Sequence, residues 1–142
     1  MARAKWFHPG AFVLVVVGGA VGVAARAVVT VPLTDAGVHP LVVPAVTLAI
    51  NLLGSFLLGV LVGRLDERHP LARAFLGTGM IGGFTTYSAF AVHAVTTSTA
   101  SPFVGIAFIA LSLFGGALCA GLGLSAGRRA ADDRGTVGED AG

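Results

Sequence analysis

Apolar residues run along this chain in four blocks, and almost nothing charged interrupts them. The blocks cover about residues 10–31, 41–63, 71–97 and 102–126. Each is long enough to cross a hydrocarbon core of about 30 Å, which takes about 20 residues in a helix. Helix stoppers separate them: Pro32, Gly37 and Pro40 after the first, Asp66 to Pro70 after the second, Ser101-Pro102 before the fourth. The pattern predicts an all-α integral membrane protein, one small domain of four transmembrane helices (residues 1–126). Residues 127–142, GRRAADDRGTVGEDAG, have too little apolar surface to fold and are expected to form a disordered cytoplasmic tail.

The third block departs from a good membrane helix. Between Gly77 and Phe90 it reads GTGMIGGFTTYSAF, with four glycines and four Ser/Thr hydroxyls before alternating aromatics. In hydrocarbon every backbone N–H and C=O needs a partner, so a broken helix persists only where protein, water or an ion satisfies the freed groups. Gly82-Gly83 supply backbone freedom, and Thr85, Thr86 and Ser88 compete for local hydrogen bonds. An unwound turn here exposes carbonyls suited to a hard cation and N–H groups suited to an anion. Tyr87 and Phe90, three apart, project ring edges whose positive quadrupole suits an anion. The plainer alternative is a kinked packing helix.

Composition supports the membrane reading: of 142 residues 55% are hydrophobic and 11% charged, and mean hydropathy is +0.88. The carboxylates are Asp35, Asp66, Glu67, Asp132, Asp133, Glu139 and Asp140, all outside the four blocks. A small four-span exchanger is the leading rival class, but it needs a membrane-embedded carboxylate to couple protons or bind cations. Of nine Lys and Arg, eight (Arg3, Lys5, Arg64, Arg68, Arg73, Arg128, Arg129, Arg134) fall on one side of four threaded spans, with only Arg26 toward the other. The positive-inside bias then predicts cytoplasmic termini and one fixed orientation, multi-pass in a prokaryotic plasma membrane. A signal peptide ending near Ala25-Arg26-Ala27 is the competing reading of the first block, which is longer than a usual signal core. Cys119, the only cysteine, makes no intramolecular disulfide. Neither an enzyme nor a nucleic-acid partner is expected.

Polar positions inside the spans are few. Thr47, Asn51 and Ser55 repeat every four residues and form a stripe on one helical face. Asn51 lies mid-span, where a buried amide either lines a transport path or tethers a neighbouring helix. Gly18 and Gly22, Ser112, Gly116 and Ala120, and Gly115, Cys119 and Gly123 are spaced for close helix packing. Ser112 shares a face with Phe108 and is a candidate path residue. Arg26 either snorkels to the interface or draws an anion to a vestibule. Histidines 8, 39 and 69 show no metal-binding spacing, and His93 is the one imidazole deep in a span.

Taken together, Gly18-Gly19-x-x-Gly22-x-x-x-Arg26, Thr47-Leu-x-x-Asn51-x-x-Gly54-Ser55-Phe56-x-x-Gly59 and Gly82-Gly83-Phe84-Thr85-Thr86-x-Ser88-x-Phe90 resemble the Fluc (CrcB) fluoride channels. The likeness covers three spans in order and extends weakly into the fourth through Ser112 and Gly116. It implies a subunit that pairs antiparallel with a second, enclosing two fluoride pores beside a central sodium ion that is not transported. Gly82 and Thr85 match the sodium-binding positions, through their backbone carbonyls. Asn51, Tyr87 and Phe90 match the pore asparagine and the two pore aromatics. Ser88 and Ser112, with Thr47 and Phe108, fall along the same path, and Arg26 at its vestibule. Membrane lipid surrounds the whole, and fluoride leaves the cell passively.

This chain also departs from the family pattern. Tyr87 stands for a phenylalanine, Ala89 for a threonine, His93 for a glutamate and Phe108 for a tyrosine. These changes leave room for a non-conducting scaffold subunit within a channel. An antiparallel homodimer needs weak Lys/Arg asymmetry, whereas eight against one fixes a single orientation. The expected partner is therefore a paralogous subunit of opposite orientation, with a second copy of this chain as the alternative.

Overall fold

The computed structural model describes residues 9–65 and 69–139, with side chains as far as Asp132. Every regular element among them is helical: α1 Pro9–Asp35, α2 Val42–Arg64, α3 at 70–84, α4 Tyr87–Ala100 and α5 Pro102–Glu139. Three of these, α1, α2 and α5 as far as Asp132, are long and apolar enough to cross a membrane. The third block supplies α3 and α4, separated at Thr85-Thr86. The fold is all-α, with the break where the glycines and hydroxyls crowd.

Two boundaries move. The first helix runs through Pro32 to Asp35, so the proline leaves the Val28 carbonyl without its helical donor yet does not end the helix. The chain then turns at Gly37, whose φ of 58° favours a residue without Cβ. The fourth helix, expected to end at 126, continues to Glu139. Arginine and alanine are strong helix formers, and no proline interrupts the ladder. The amino-terminal Arg3, Lys5 and His8, the loop carboxylates Asp66 and Glu67 with Arg68, and Asp140 lie outside the described residues.

The helices pack as two close pairs, α1 on α3 and α2 on α5, with α4 laid against α5. Both pairs meet backbone to backbone. A Cβ on Gly18 would run into the Phe75 carbonyl, and one on Gly22 into the Met80 carbonyl. Across the second pair, Gly59 faces the Ala120 carbonyl and Gly123 the Phe56 carbonyl. Such approaches replace hydrophobic burial, which lipid does not drive, with dispersion contacts between main chains. Few large side chains are buried, chiefly Ile50, Ile81 and Phe108. Phe103 and Phe114 stand 82% and 77% exposed, as suits a surface solvated by acyl chains.

Candidate functional site

The turns before the break are already loose. After one α-turn at Pro70–Ala72, the stretch Arg73–Ile81 winds as a wide π-helix and returns to α-geometry at Gly82–Phe84. Thr85 and Thr86 then extend, with ψ of 159° and 118°. Thr85 still gives both its N–H and its hydroxyl to the Ile81 carbonyl, each at 3.0 Å. Thr86 starts the next helix, its hydroxyl accepting from the Ala89 amide at 3.2 Å as an N-cap.

Asn51 closes the break from the neighbouring helix. Its Oδ1 accepts from the Thr86 N–H at 2.9 Å, and its Nδ2 donates to the Thr86 carbonyl at 3.1 Å. The amide thus pairs with the extended residue as a neighbouring strand would, which settles its tethering role. An amide carries two donor hydrogens, and among the described residues the second Nδ2 hydrogen has no partner. One turn along, Gly54 makes the fit possible, for a Cβ there would meet the Thr85 methyl.

This clasp redirects donors. In an unbroken helix the Thr86 amide bonds the Gly82 carbonyl and the Ala89 amide bonds the Thr85 carbonyl. Here the first goes to Asn51 and the second to the Thr86 hydroxyl. The Gly82 and Thr85 carbonyls are left without those partners, and they are the two positions that the sequence likeness matches to sodium. Uncommitted backbone carbonyls are the ligands a hard cation takes, so the donor set fits that ion. Among the described residues no His, Cys, Asp or Glu cluster offers an alternative metal site.

Arg26 is half-buried. Its Nε points at the Gly83 carbonyl at 3.5 Å, the long limit of a hydrogen bond, and so ties α1 to the last turn before the break. Two grooves flank that break. The first, about 320 Å³, is lined by Asn51, Ser55, Thr85, Tyr87, Phe90 and Ser112. The second, about 360 Å³, is lined by Arg26, Thr47, Ser88 and His93, and Thr86 borders both. The candidate path residues are therefore divided, with Thr47 and Ser88 across the break from the aromatics.

An aromatic row leads inward from the first groove, which Tyr87 and Phe90 line. Tyr87 and Phe90 have ring centres 5.8 Å apart, Phe90 stacks on Phe108 at 5.7 Å, and His93 meets Phe108 nearly perpendicular at 6.4 Å. The row runs from surface to interior, since Tyr87 is 81% exposed and Phe108 7%. Ser112 donates its hydroxyl to the Phe108 carbonyl at 2.8 Å, so toward the groove it offers lone pairs. Ser88 lies 3.2 Å from the Thr86 hydroxyl. Thr86 is the residue whose importance sequence reasoning understated; a threonine directly before the helix-forming YSAF run is an N-cap signal.

Comparisons with known proteins give the family. Residues 13–124 match the family described as CrcB-like protein, Camphor Resistance (CrcB). Over 119 residues the chain is 38% identical to the fluoride-specific ion channel FluC 2 of Bacillus subtilis (strain 168), covering 82% of this chain and 87% of that one. It is 43% identical over 110 residues to the fluoride-specific ion channel FluC of Cereibacter sphaeroides (strain ATCC 17029), covering 71% and 84%. With the FluC 2 channel of Corynebacterium jeikeium (strain K411) it shares 38% over 133 residues, 81% of this chain and 78% of the other. The matched residues hold the glycine contacts, the Asn51 clasp and both grooves, and by that match the chain belongs to the CrcB family.

Proposed function

We propose that this chain is a subunit of a fluoride channel that lets the ion leave the cell down its electrochemical gradient. One observation carries the reading: the Asn51–Thr86 clasp holds the broken helix open while leaving a free amide hydrogen in an aromatic-edged groove. The names of the relatives support it. A small, strongly hydrated anion loses its water only if fixed donors replace it, and donors already held in place lower that cost. The second Asn51 hydrogen is such a donor. The ring edges of Tyr87 and Phe90 line its approach, and Arg26 with Ser88 and Thr47 draws the anion from the other side. No covalent step is involved, in keeping with a channel and not an enzyme.

A sodium ion held by the Gly82 and Thr85 carbonyls would add fixed positive charge beside both grooves. Gly82 and Tyr87 are exposed on the single chain, an odd place for a cation site and a pore aromatic. A second, antiparallel subunit laid over this face buries both and completes each groove. The Lys/Arg bias favours a paralogous partner of opposite orientation, with this chain's termini in the cytoplasm. A scaffold role for this chain within that dimer has one observation behind it, the Ser112 hydroxyl hydrogen already given to Phe108. The four-span exchanger finds no support, because no carboxylate lies in any of the apolar blocks.

Purified protein in liposomes, alone and with its paralogue, tests the reading. Fluoride efflux that requires a counter-ion pathway and is not driven by an imposed proton gradient is the expected result. Efflux that runs only with a proton gradient would replace the channel with an exchanger.

A further inference from the structure

His93 is the only imidazole within the apolar blocks, and the path described above does not use it. It lines the Arg26 groove and also a larger one of about 560 Å³, which takes in Thr34, Leu41, Thr97 and Ser101 and opens beside the turn between α1 and α2. The two grooves share Thr34, Val43 and His93, so the imidazole stands where one passes into the other.

Its surroundings leave its nitrogens unclaimed. Phe108 braces the ring edge to face. The Thr97 and Thr96 hydroxyls donate back to the His93 carbonyl, at 2.6 and 3.3 Å, so their hydrogens are committed. Neither ring nitrogen has a hydrogen-bond partner among the described residues. No side-chain nitrogen or oxygen there is both sealed from the surface and unpartnered, so the ring nitrogens keep contact with a groove.

The charged groups nearby are few. From α1 only Arg26 lines a shared groove. From α2 come Val43, Pro44 and Thr47, from α4 itself Thr96 and Thr97, and from α5 Val104 with Phe108. Asp35, at the end of α1, and His39, in the turn beyond, line neither groove. Among the described residues no carboxylate lines either groove to compete with an anion for this imidazole.

We propose that His93 is a second anion station, at which the protonated ring holds fluoride as it passes between the Arg26 groove and the outer one. The proposal rests on the fluoride-channel reading above. Protonated, the ring offers two N–H donors and a positive charge; neutral, it keeps one donor and presents an acceptor that repels the ion. Charge-assisted bonds are roughly twice as strong as neutral ones, so the station fills in acid and empties in alkali.

Two measurements test it. The ring signals of His93, identified by their loss in His93→Gln, are followed by NMR in lipid nanodiscs as sodium fluoride is added at about pH 5.5 and about pH 8, either side of the ordinary imidazole value. Fluoride is expected to shift them at the lower pH and leave them unmoved at the higher. In liposomes, corrected for leakage through protein-free lipid, efflux is expected to rise about three- to tenfold from the higher pH to the lower. His93→Gln is expected to flatten that profile, whereas Arg26→Gln lowers the rate across it. Ring signals indifferent to fluoride in acid, or a His93→Gln profile like the wild type's, would overturn the proposal. Absence of fluoride flux at every pH, with or without a paralogue, would instead count against the channel reading, and the ring titration then decides on its own.

Discussion

Replacing Asn51 by alanine removes both halves of the clasp at once, and the structure allows the cost to be worked out. Two hydrogen bonds of 2.9 and 3.1 Å are lost. Side-chain hydrogen bonds inside membrane proteins average about 0.6 kcal/mol and reach about 1.7 kcal/mol, so the pair is worth about 1–3 kcal/mol. Thr86 is only 9% exposed, and its backbone N–H would be stranded, whereas its carbonyl, at the N-cap, keeps the first hydrogen bond of α4. An unsatisfied buried group costs about 1–3 kcal/mol, which places the variant at the upper end of that range. The segment has a way out, because the Thr86 amide can return to the Gly82 carbonyl and re-form the helix. That closes the break and occupies a carbonyl assigned to sodium. Destabilisation of about 2–3 kcal/mol is expected, read as a lower melting temperature in detergent. Loss of the fixed donor should slow efflux at least about tenfold, the equivalent of roughly 1.4 kcal/mol in the barrier. Asn51→Ala with wild-type stability and efflux within about twofold of wild type would refute the clasp as the organiser of the site.

Other outcomes follow from the same contacts. Gly54→Ala places a methyl where that of Thr85 sits, and Thr85 cannot rotate away without losing its bond to Ile81; a cost of about 1–3 kcal/mol in stability is expected by thermal unfolding, and an unchanged melting temperature would contradict the packing. Exchanging sodium for N-methylglucamine, too large for two carbonyls, is expected to lower the melting temperature and the dimer fraction on size exclusion, whereas indifference to the cation would remove sodium from the account. Cysteine tags at each terminus, in a Cys119→Ser background, are expected to be labelled from one face of the membrane only. An even split between faces would sink the paralogous partner and favour a homodimer.

The hydrophobic blocks made four helices legible because lipid enforces a simple rule, and no internal boundary hides in a long apolar run. The break was legible for a similar reason, since Gly82-Gly83 and three hydroxyl residues conflict locally with a spanning helix. The helix ends were less so. Pro32 reads as a stopper, yet the helix runs three residues further to Asp35, and after 126 no apolar period marks where the fourth helix ends. Asn51 could be read as tether or path lining, and only its distance to Thr86 shows the tether, with one hydrogen to spare. Arg26 reads as a side chain that snorkels to the interface or draws an anion, and no sequence spacing shows that its Nε reaches a carbonyl 57 positions away. The division of the polar residues between two grooves depends on the extended Thr85-Thr86 turn, which puts Tyr87 and Ser88 on opposite sides. No periodicity carries that information, because the break resets the helical phase.

The central claim is that fixed donors at a broken third helix pass fluoride alone, and the reversal potential measured in a planar bilayer under opposed fluoride and proton gradients tests it most directly. The account predicts a potential that follows the fluoride gradient and does not move when the pH difference is reversed. A potential that tracks the proton gradient, or that shifts when chloride replaces an inert anion, would contradict it.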